Sequence, residues 1–221
     1  MTAPSMSLLG TGLEQLGLAL ASPARAKLEA YLELLAKWNA TFNLTAIRDR
    51  EQMVSHHLLD SLALVPFIKP GRLLDVGSGG GLPGIPLAIW AQTALPDLHV
   101  TVLDSNHKKA AFLRQAQIEL KLPNLEVCDQ RVEAWQAQTG FGQIVSRAFS
   151  DLYEFFHLTR HLALAAVDDR YDTRWLAMKG VHPHEEIAHL PPECLLESVH
   201  RLKVPGLKAE RHLVVLKTLQ N

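Results

Sequence analysis

Apolar positions recur at helical spacing in the first third of the chain and in short, strand-length runs after it. Leu28, Tyr31, Leu32, Leu35 and Trp38 fall on one face of a helix opened by Ser22-Pro23, with Ser22 as cap and Pro23 at the first helical position. A loop is predicted over residues 39–46. A second helix is predicted over residues 49–65, with Val54, Leu58, Ser61, Leu62 and Val65 inward, stopped by Pro66 and Pro70-Gly71. From Gly71 onward the pattern alternates. Strands are predicted at 72–76, 99–104, 125–128, 143–146, 175–178, 195–204 and 213–217, and helices at 83–94, 108–120 and 151–165. Repeated βα units imply right-handed crossovers and a parallel sheet covered on both faces. The last two strands, joined by a short connection around Pro205-Gly206, must run antiparallel to each other. The division this suggests is an N-terminal helical cap over residues 1–68 and an α/β domain over residues 69–221.

Composition changes this picture little. The 221 residues are 48% hydrophobic and 20% charged, which fits a packed globular fold. A net charge of -1 excludes strong global steering toward nucleic acid, so any anion-binding surface must be local. Cys128 and Cys194 stand far apart without a C-x-x-C spacing, as expected of reduced thiols in a cytoplasmic protein. The apolar run at residues 16–21 is preceded by Glu14 and Gln15 and by no Lys or Arg, so it does not read as a signal peptide. No run approaches the ~20 apolar residues of a membrane span. Without a heptad seam or large apolar face in the pattern, a monomer is expected.

The candidate chemistry starts at Leu73-Leu74-Asp75-Val76-Gly77-Ser78-Gly79-Gly80-Gly81-Leu82-Pro83-Gly84. A buried strand ends in an acid and turns through glycines into a helix. Such a loop lets a nucleotide-like ligand lie against bare backbone. A G-x-G-x-x-G can be read at Gly79 to Gly84, but its register suits a dinucleotide poorly. The glycine closing on the strand is Gly77, and Leu82 then stands where the third glycine belongs. The alternative, Asp75-x-Gly77-x-Gly79-x-Gly81, resembles the first motif of class I S-adenosylmethionine-dependent methyltransferases. There Asp75 would face the ligand's ammonium, and Asp104, ending the second strand, would accept both ribose hydroxyls. Loop hydrogen bonding by Asp75 and helix capping by Asp104 are the structural alternatives.

Further blocks narrow the resemblance. They are Trp38-Asn39, Phe42-Asn43-Leu44-Thr45, His57-Leu58-Leu59-Asp60-Ser61-Leu62, the loop with its unusual Pro83 and Pro86, and Leu103-Asp104-Ser105 with Lys108-Lys109. Gln130-Arg131-Val132-Glu133, Val145-Ser146-Arg147-Ala148 and Met178-Lys179-Gly180 complete the set. Together they resemble the RsmG (GidB) family, which methylates N7 of a single guanine in bacterial 16S ribosomal RNA. The resemblance implies a Rossmann-like, mostly parallel seven-stranded sheet with helices on both faces and S-adenosylmethionine as methyl donor, without a metal. Its cofactor contacts match Gly77, Leu82, Val132, Glu133 and Arg147; Asp75, Gly79 and Asp104 join them from the class-level motif. Arg147 and Lys179 are the residues expected to meet the substrate. Guanine N7 carries a lone pair and no proton, so attack on a sulfonium methyl needs alignment and exclusion of water rather than a general base.

RNA as partner, free or in the small subunit, requires local positive charge. Lys108, Lys109, Arg114 and Lys121 form one basic group, and Arg201, Lys203, Lys208, Arg211 and Lys217 another, each equally readable as a solvated face. His57 and Asp60, one helical turn apart, are placed to share a hydrogen bond. The histidines at 56–57 and 182–184 lack the i, i+4 pairing of a helical zinc site. Methyl transfer to a small molecule or protein, NAD(P)-dependent oxidoreduction, and nucleotide binding without catalysis are the competing readings.

Overall fold

In a computed structural model the described residues are 3–147, 149, 151–164 and 173–219. Ala148 of the fourth-strand motif and Ala165 at the predicted helix end lie outside them. Helices α1 (Ala3–Gln15) and α2 (Ser22–Phe42) come first, followed by α3 (Arg50–Met53), a π-helical turn (Val54–Leu59), α4 (Asp60–Leu62) and a 3-10 turn (Val65–Phe67). Then come β1 (Gly71–Val76), α5 (Gly84–Ala94), β2 (Leu98–Leu103), α6 (His107–Glu119), β3 (Leu125–Cys128) and β4 (Gln143–Ser146). Helix α7 (Leu152–Thr159), a 3-10 turn (Arg160–Leu162), β5 (Arg174–Lys179), α8 (His184–Ala188), β6 (Cys194–Arg201) and β7 (His212–Thr218) complete the chain. No helix among the described residues is long and apolar enough to cross a membrane.

The strands form one seven-stranded sheet in the order β3-β2-β1-β4-β5-β7-β6. It is parallel except for β7, which runs antiparallel to β5 and β6. Successive strand residues face opposite sides, so Leu73 and Leu74, Val145 and Ile144, and Val215 and Val214 divide between two cores. On one face α7 packs through Leu152, Phe155 and Phe156. On the other, α5 and α6 share a contiguous core with the N-terminal helices, which contribute Leu28, Tyr31, Leu32, Leu35, Leu58 and Leu62. Trp38 and Tyr31 of α2 meet the ring of Phe112 on α6, at centroid distances of 5.7 and 6.4 Å.

Several expectations are corrected by the structure. Helix α2 begins at Ser22, so Ser22 lies inside the first turn and gives no side-chain cap. The helix also runs past residue 39 to Phe42 and ends on Asn43 in the left-handed region. The predicted second helix is interrupted by the π turn at Val54–Leu59. That segment is enclosed on nearly every side, so both its apolar face (Val54, Leu58, Leu62) and its polar face (His57, Asp60, Ser61) are buried. Amphipathic spacing cannot reveal a helix wrapped in this way. Strand β6 stops at Arg201 rather than 204, because the chain turns through Pro205-Gly206, with Gly206 at φ 74°. Helices α1 and α8 have no predicted counterpart.

The N-terminal helices reach the glycine loop directly. Tyr31 is fully buried and its hydroxyl donates to the Gly80 carbonyl at 2.6 Å. Burial holds this phenol well above its ordinary pKa, so it stays a donor. Tyr31→Phe leaves a buried carbonyl unpaired, and unfolding in urea should show a loss of about 1–2 kcal/mol. Stability equal to the parent protein would mean that the bolt between helix and loop contributes nothing.

Candidate active site at the carboxyl edge of the sheet

Strand order reverses direction between β1 and β4, and in open α/β sheets the crevice outside the strand ends at such a point is where ligands bind. Two cavities open there. The first, of about 220 Å³, lies over β1, β2 and β3 and is lined by Val76, Gly77, Leu103, Asp104, Ser105, Gln130, Arg131, Val132, Glu133 and Phe149. The second, of about 370 Å³, is lined by Thr45, Ala46, Ile47, His56, His57, Asp60, Arg147, Met178, Lys179, Gly180 and Arg211.

The glycine loop is built on Asp75. Its Oδ2 accepts the Ser78 hydroxyl at 2.6 Å and the Gly84 N–H at 2.9 Å, which closes the loop and caps the start of α5. Its Oδ1 is buried and has no partner among the described residues. Burial pushes this carboxyl up to about 6, against the pull of the Ser78 and Gly84 bonds. Gly84 has no room for a side chain, since a Cβ there would press on Val102 and on the Asp75 carboxylate. Gly77 differs. It takes φ 68°, and a Cβ would meet nothing within 4 Å, so its open side faces the first cavity as bare backbone.

Asp104 is buried at the edge of that cavity. Its Oδ2 accepts the Gly79 N–H at 2.9 Å and its Oδ1 accepts the Asn106 N–H at 2.9 Å, while the Lys109 ammonium stands 3.7 Å from Oδ2. Helix capping belongs to Asn106, which accepts from Lys108 and Lys109 N–H. Val132 and Glu133 also line the cavity, in a turn with Val132 buried and Glu133 exposed. Asp75, Gly79 and Leu82 line neither cavity; Leu82 is packed in the core beneath the loop.

The second cavity is organised by Arg147, immediately after β4. Its Nη1 donates to the His56 carbonyl at 2.8 Å and to His57 Nδ1 at 3.4 Å, and lies 3.6 Å from Asp60 Oδ2. Asp60 is buried and also accepts from Arg211 Nε at 3.1 Å. Burial pushes its carboxyl up while the two guanidinium groups pull it back. His57 and Asp60 therefore do not share a hydrogen bond with each other; Arg147 joins them. Burial, with the nearby Arg147 charge, takes His57 down to about 4, so the imidazole is neutral. Lys179 enters the same cavity but pairs with Glu186 at 2.7 Å and donates to the Phe149 carbonyl at 3.2 Å.

Sequence reasoning misses Arg211 and Thr45. Arg211 reads as part of a solvated basic face, yet it turns inward to Asp60. Thr45 stands in a motif that gives no sign of a lining role. It is delivered by Asn39, whose buried side chain accepts the Thr45 N–H at 2.9 Å and donates to the Ile47 carbonyl at 3.3 Å. The signal available was Asn39, a polar residue on the buried face of an amphipathic helix. Elsewhere, Arg114 of the first basic group pairs with Asp129, and Arg201 of the second with Glu210. Among the described residues no group of three or more His, Cys, Asp or Glu is arranged to hold a metal ion.

The family model described as rRNA small subunit methyltransferase G matches residues 24–214. Ribosomal RNA small subunit methyltransferase G of Chromobacterium violaceum is 57% identical over 207 residues, covering 93% of this chain and 94% of that protein. The protein of the same name from Laribacter hongkongensis is 54% identical, covering 94% and 96%. Among solved structures, TrmN from Thermus thermophilus superposes with a TM-score of 0.53 at 17% identity, over 75% of this chain and 53% of that one, a likeness of fold.

His57 and Asp75 oppose each other in acid. With His57 taken from 6.5 to about 4, the unfolded chain binds a proton in that window that the folded chain refuses, and stability falls as pH falls. With Asp75 raised from 3.8 to about 6, the folded chain holds a proton the unfolded chain has lost, and stability falls as pH rises through that window. Each effect is on the order of 3 kcal/mol. Between about pH 7 and about pH 4.5, urea unfolding should show His57→Gln losing less stability than the parent and Asp75→Asn losing more. Parallel curves for all three proteins would contradict the assignment.

Proposed function

The chain belongs to the rRNA small subunit methyltransferase G family, and from that premise we propose that it transfers the methyl group of S-adenosylmethionine to N7 of one guanine in 16S ribosomal RNA. The observation that carries this reading is the pairing of an acid-edged cavity over the glycine loop with an arginine-built pocket across the β1–β4 switch point.

The residues present suit the cofactor. Gly77 offers bare backbone with open space beside it. The Asp104 carboxylate has each oxygen held by one N–H and retains acceptor capacity for two ribose hydroxyls. Val132 and Glu133 stand where an adenine edge can be met by a backbone N–H and a carboxylate. Asp75, fully buried and lining neither cavity, holds the loop closed through Ser78 and Gly84, and Gly79 and Leu82 shape it. When bound, the cofactor supplies an electrophilic methyl on a sulfonium. The chain's task is then alignment. Arg147 is locked by His56, His57 and Asp60, and Lys179 by Glu186, so their charges face the second pocket without rearrangement.

Charge supports an RNA substrate at this site. The pocket gathers Arg147, Arg211 and Lys179 around Asp60, with Glu186 behind Lys179, a local excess of positive charge on a chain of net charge -1. A purine presenting N7 needs no base to remove a proton, and the two candidates lining the pocket are otherwise engaged: His57 spends its ring nitrogens on Arg147 and Thr45, and Asp60 pairs with Arg147 and Arg211.

Incubation with labelled S-adenosylmethionine and unmodified small-subunit RNA should place label on a guanine, identified as 7-methylguanine by mass spectrometry. Arg147→Ala should lose methyl transfer by roughly 100-fold or more while remaining folded. Asp104→Ala should weaken cofactor binding in calorimetry by roughly tenfold or more, as expected for hydrogen bonds to a charged acceptor. Transfer at the parental rate by the Arg147 variant would refute the site assignment.

A further inference from the structure

We infer that Thr45 is a specificity residue whose hydroxyl donates to the O6 atom of the target guanine; this rests on the guanine-N7 reading above. Thr45 lines the second cavity, and its oxygen lies 3.0 Å from His57 Nε2 and 3.2 Å from the Ile47 N–H. The direction of the first bond is set from the far side of the imidazole. Arg147 Nη1 approaches His57 Nδ1 at 3.4 Å, and a guanidinium has no lone pair to offer. That contact assigns the acceptor role to Nδ1, which puts the proton of the neutral ring on Nε2, facing Thr45.

Both acceptor positions of the Thr45 hydroxyl are then filled, one by the His57 Nε2–H and one by the Ile47 N–H. Its own proton has no acceptor among the described residues. A hydroxyl in this state can only donate, and the space beside it is the pocket. The cationic side chains of the pocket are each anchored, Arg147 by the His56 carbonyl, Arg211 by Asp60 and the Glu210 carbonyl, Lys179 by Glu186 and the Phe149 carbonyl, whereas Thr45 offers a neutral hydroxyl donor. On the edge of a purine that carries N7, guanine presents an acceptor at O6 where adenine presents an N6 donor. A committed donor beside the reacting nitrogen rewards the first and leaves the second facing donor to donor. The neutrality of His57 belongs to the same arrangement, since a protonated ring would meet the Arg147 cation.

The test crosses protein and substrate. Small-subunit RNA carrying 2-aminopurine at the target position keeps N7 and lacks O6. The parent protein should lose about tenfold in kcat/KM on it relative to guanine. Thr45→Val should lose a similar factor on guanine and nothing further on 2-aminopurine, while Thr45→Ser keeps the guanine preference. Nitrogen chemical shifts of the His57 ring should show the Nε2–H tautomer. Parental kcat/KM for Thr45→Val on guanine, losses that multiply rather than merge, or a proton on Nδ1 would each overturn the proposal. Failure of the parent protein to methylate guanine RNA at all is a different result: it removes the methyl-transfer reading, and the tautomer measurement still judges the donor.

Discussion

A carboxylate buried without a cationic partner is the constraint on which the ligand edge of this fold depends. Asp75, near the end of β1, is fully enclosed, and its carboxylate is held directly by the Ser78 hydroxyl and the Gly84 N–H, with the Arg147 charge acting from further off. Those two bonds fold the chain between them into a tight loop and start α5. The same loop is gripped from outside by Asp104 at Gly79 and by Tyr31 at Gly80. Two strand ends and an N-terminal helix thus converge on three consecutive residues, Ser78 to Gly80, so the cavity over Gly77 is preformed.

The second pocket rests on a comparable arrangement of buried charge. Asp60 draws Arg147 from the end of β4 and Arg211 from the start of the β7 edge to one point. Removing the carboxylate would leave two guanidinium groups close together in a partly buried site, whereas removing one arginine would leave the carboxylate with the other. The π turn at Val54–Leu59 belongs to this design, because it lets His57 and Asp60 share a buried polar face while Leu58 and Leu62 stay in the core. An inserted π turn of this kind recurs at functional sites in helices generally.

Together the two pockets describe a site that works by holding groups still. In the second pocket Arg147 and Arg211 are tied to Asp60 and Lys179 to Glu186, and His57 is locked between Arg147 and Thr45. That suits a transfer in which the nucleophile arrives with its lone pair free and catalysis lies in alignment. It also explains why the N-terminal helices, which carry no nucleotide-binding pattern, reach toward the site: they brace the glycine loop through Tyr31 and, through Asn39, bring Thr45 to the second cavity.

Local patterns in the chain determined most of the scaffold. Strands β3 and β4 match their predicted bounds because short apolar runs between turn residues have few alternatives. The glycine spacing after Asp75 and the acid at Asp104 marked the first cavity for the same reason: loop geometry is encoded by neighbouring residues. The wrapped helix after Asp49, the true cap of α6 at Asn106, the inward turn of Arg211 and the place of Thr45 beside Arg147 were decided only when distant segments met. A charged or hydroxyl side chain reads as surface until a partner more than a hundred residues away, as Asp60 is from Arg211, makes its burial favourable. Sequence periodicity reports which face of an element is apolar, and it carries no record of which buried polar groups will find each other.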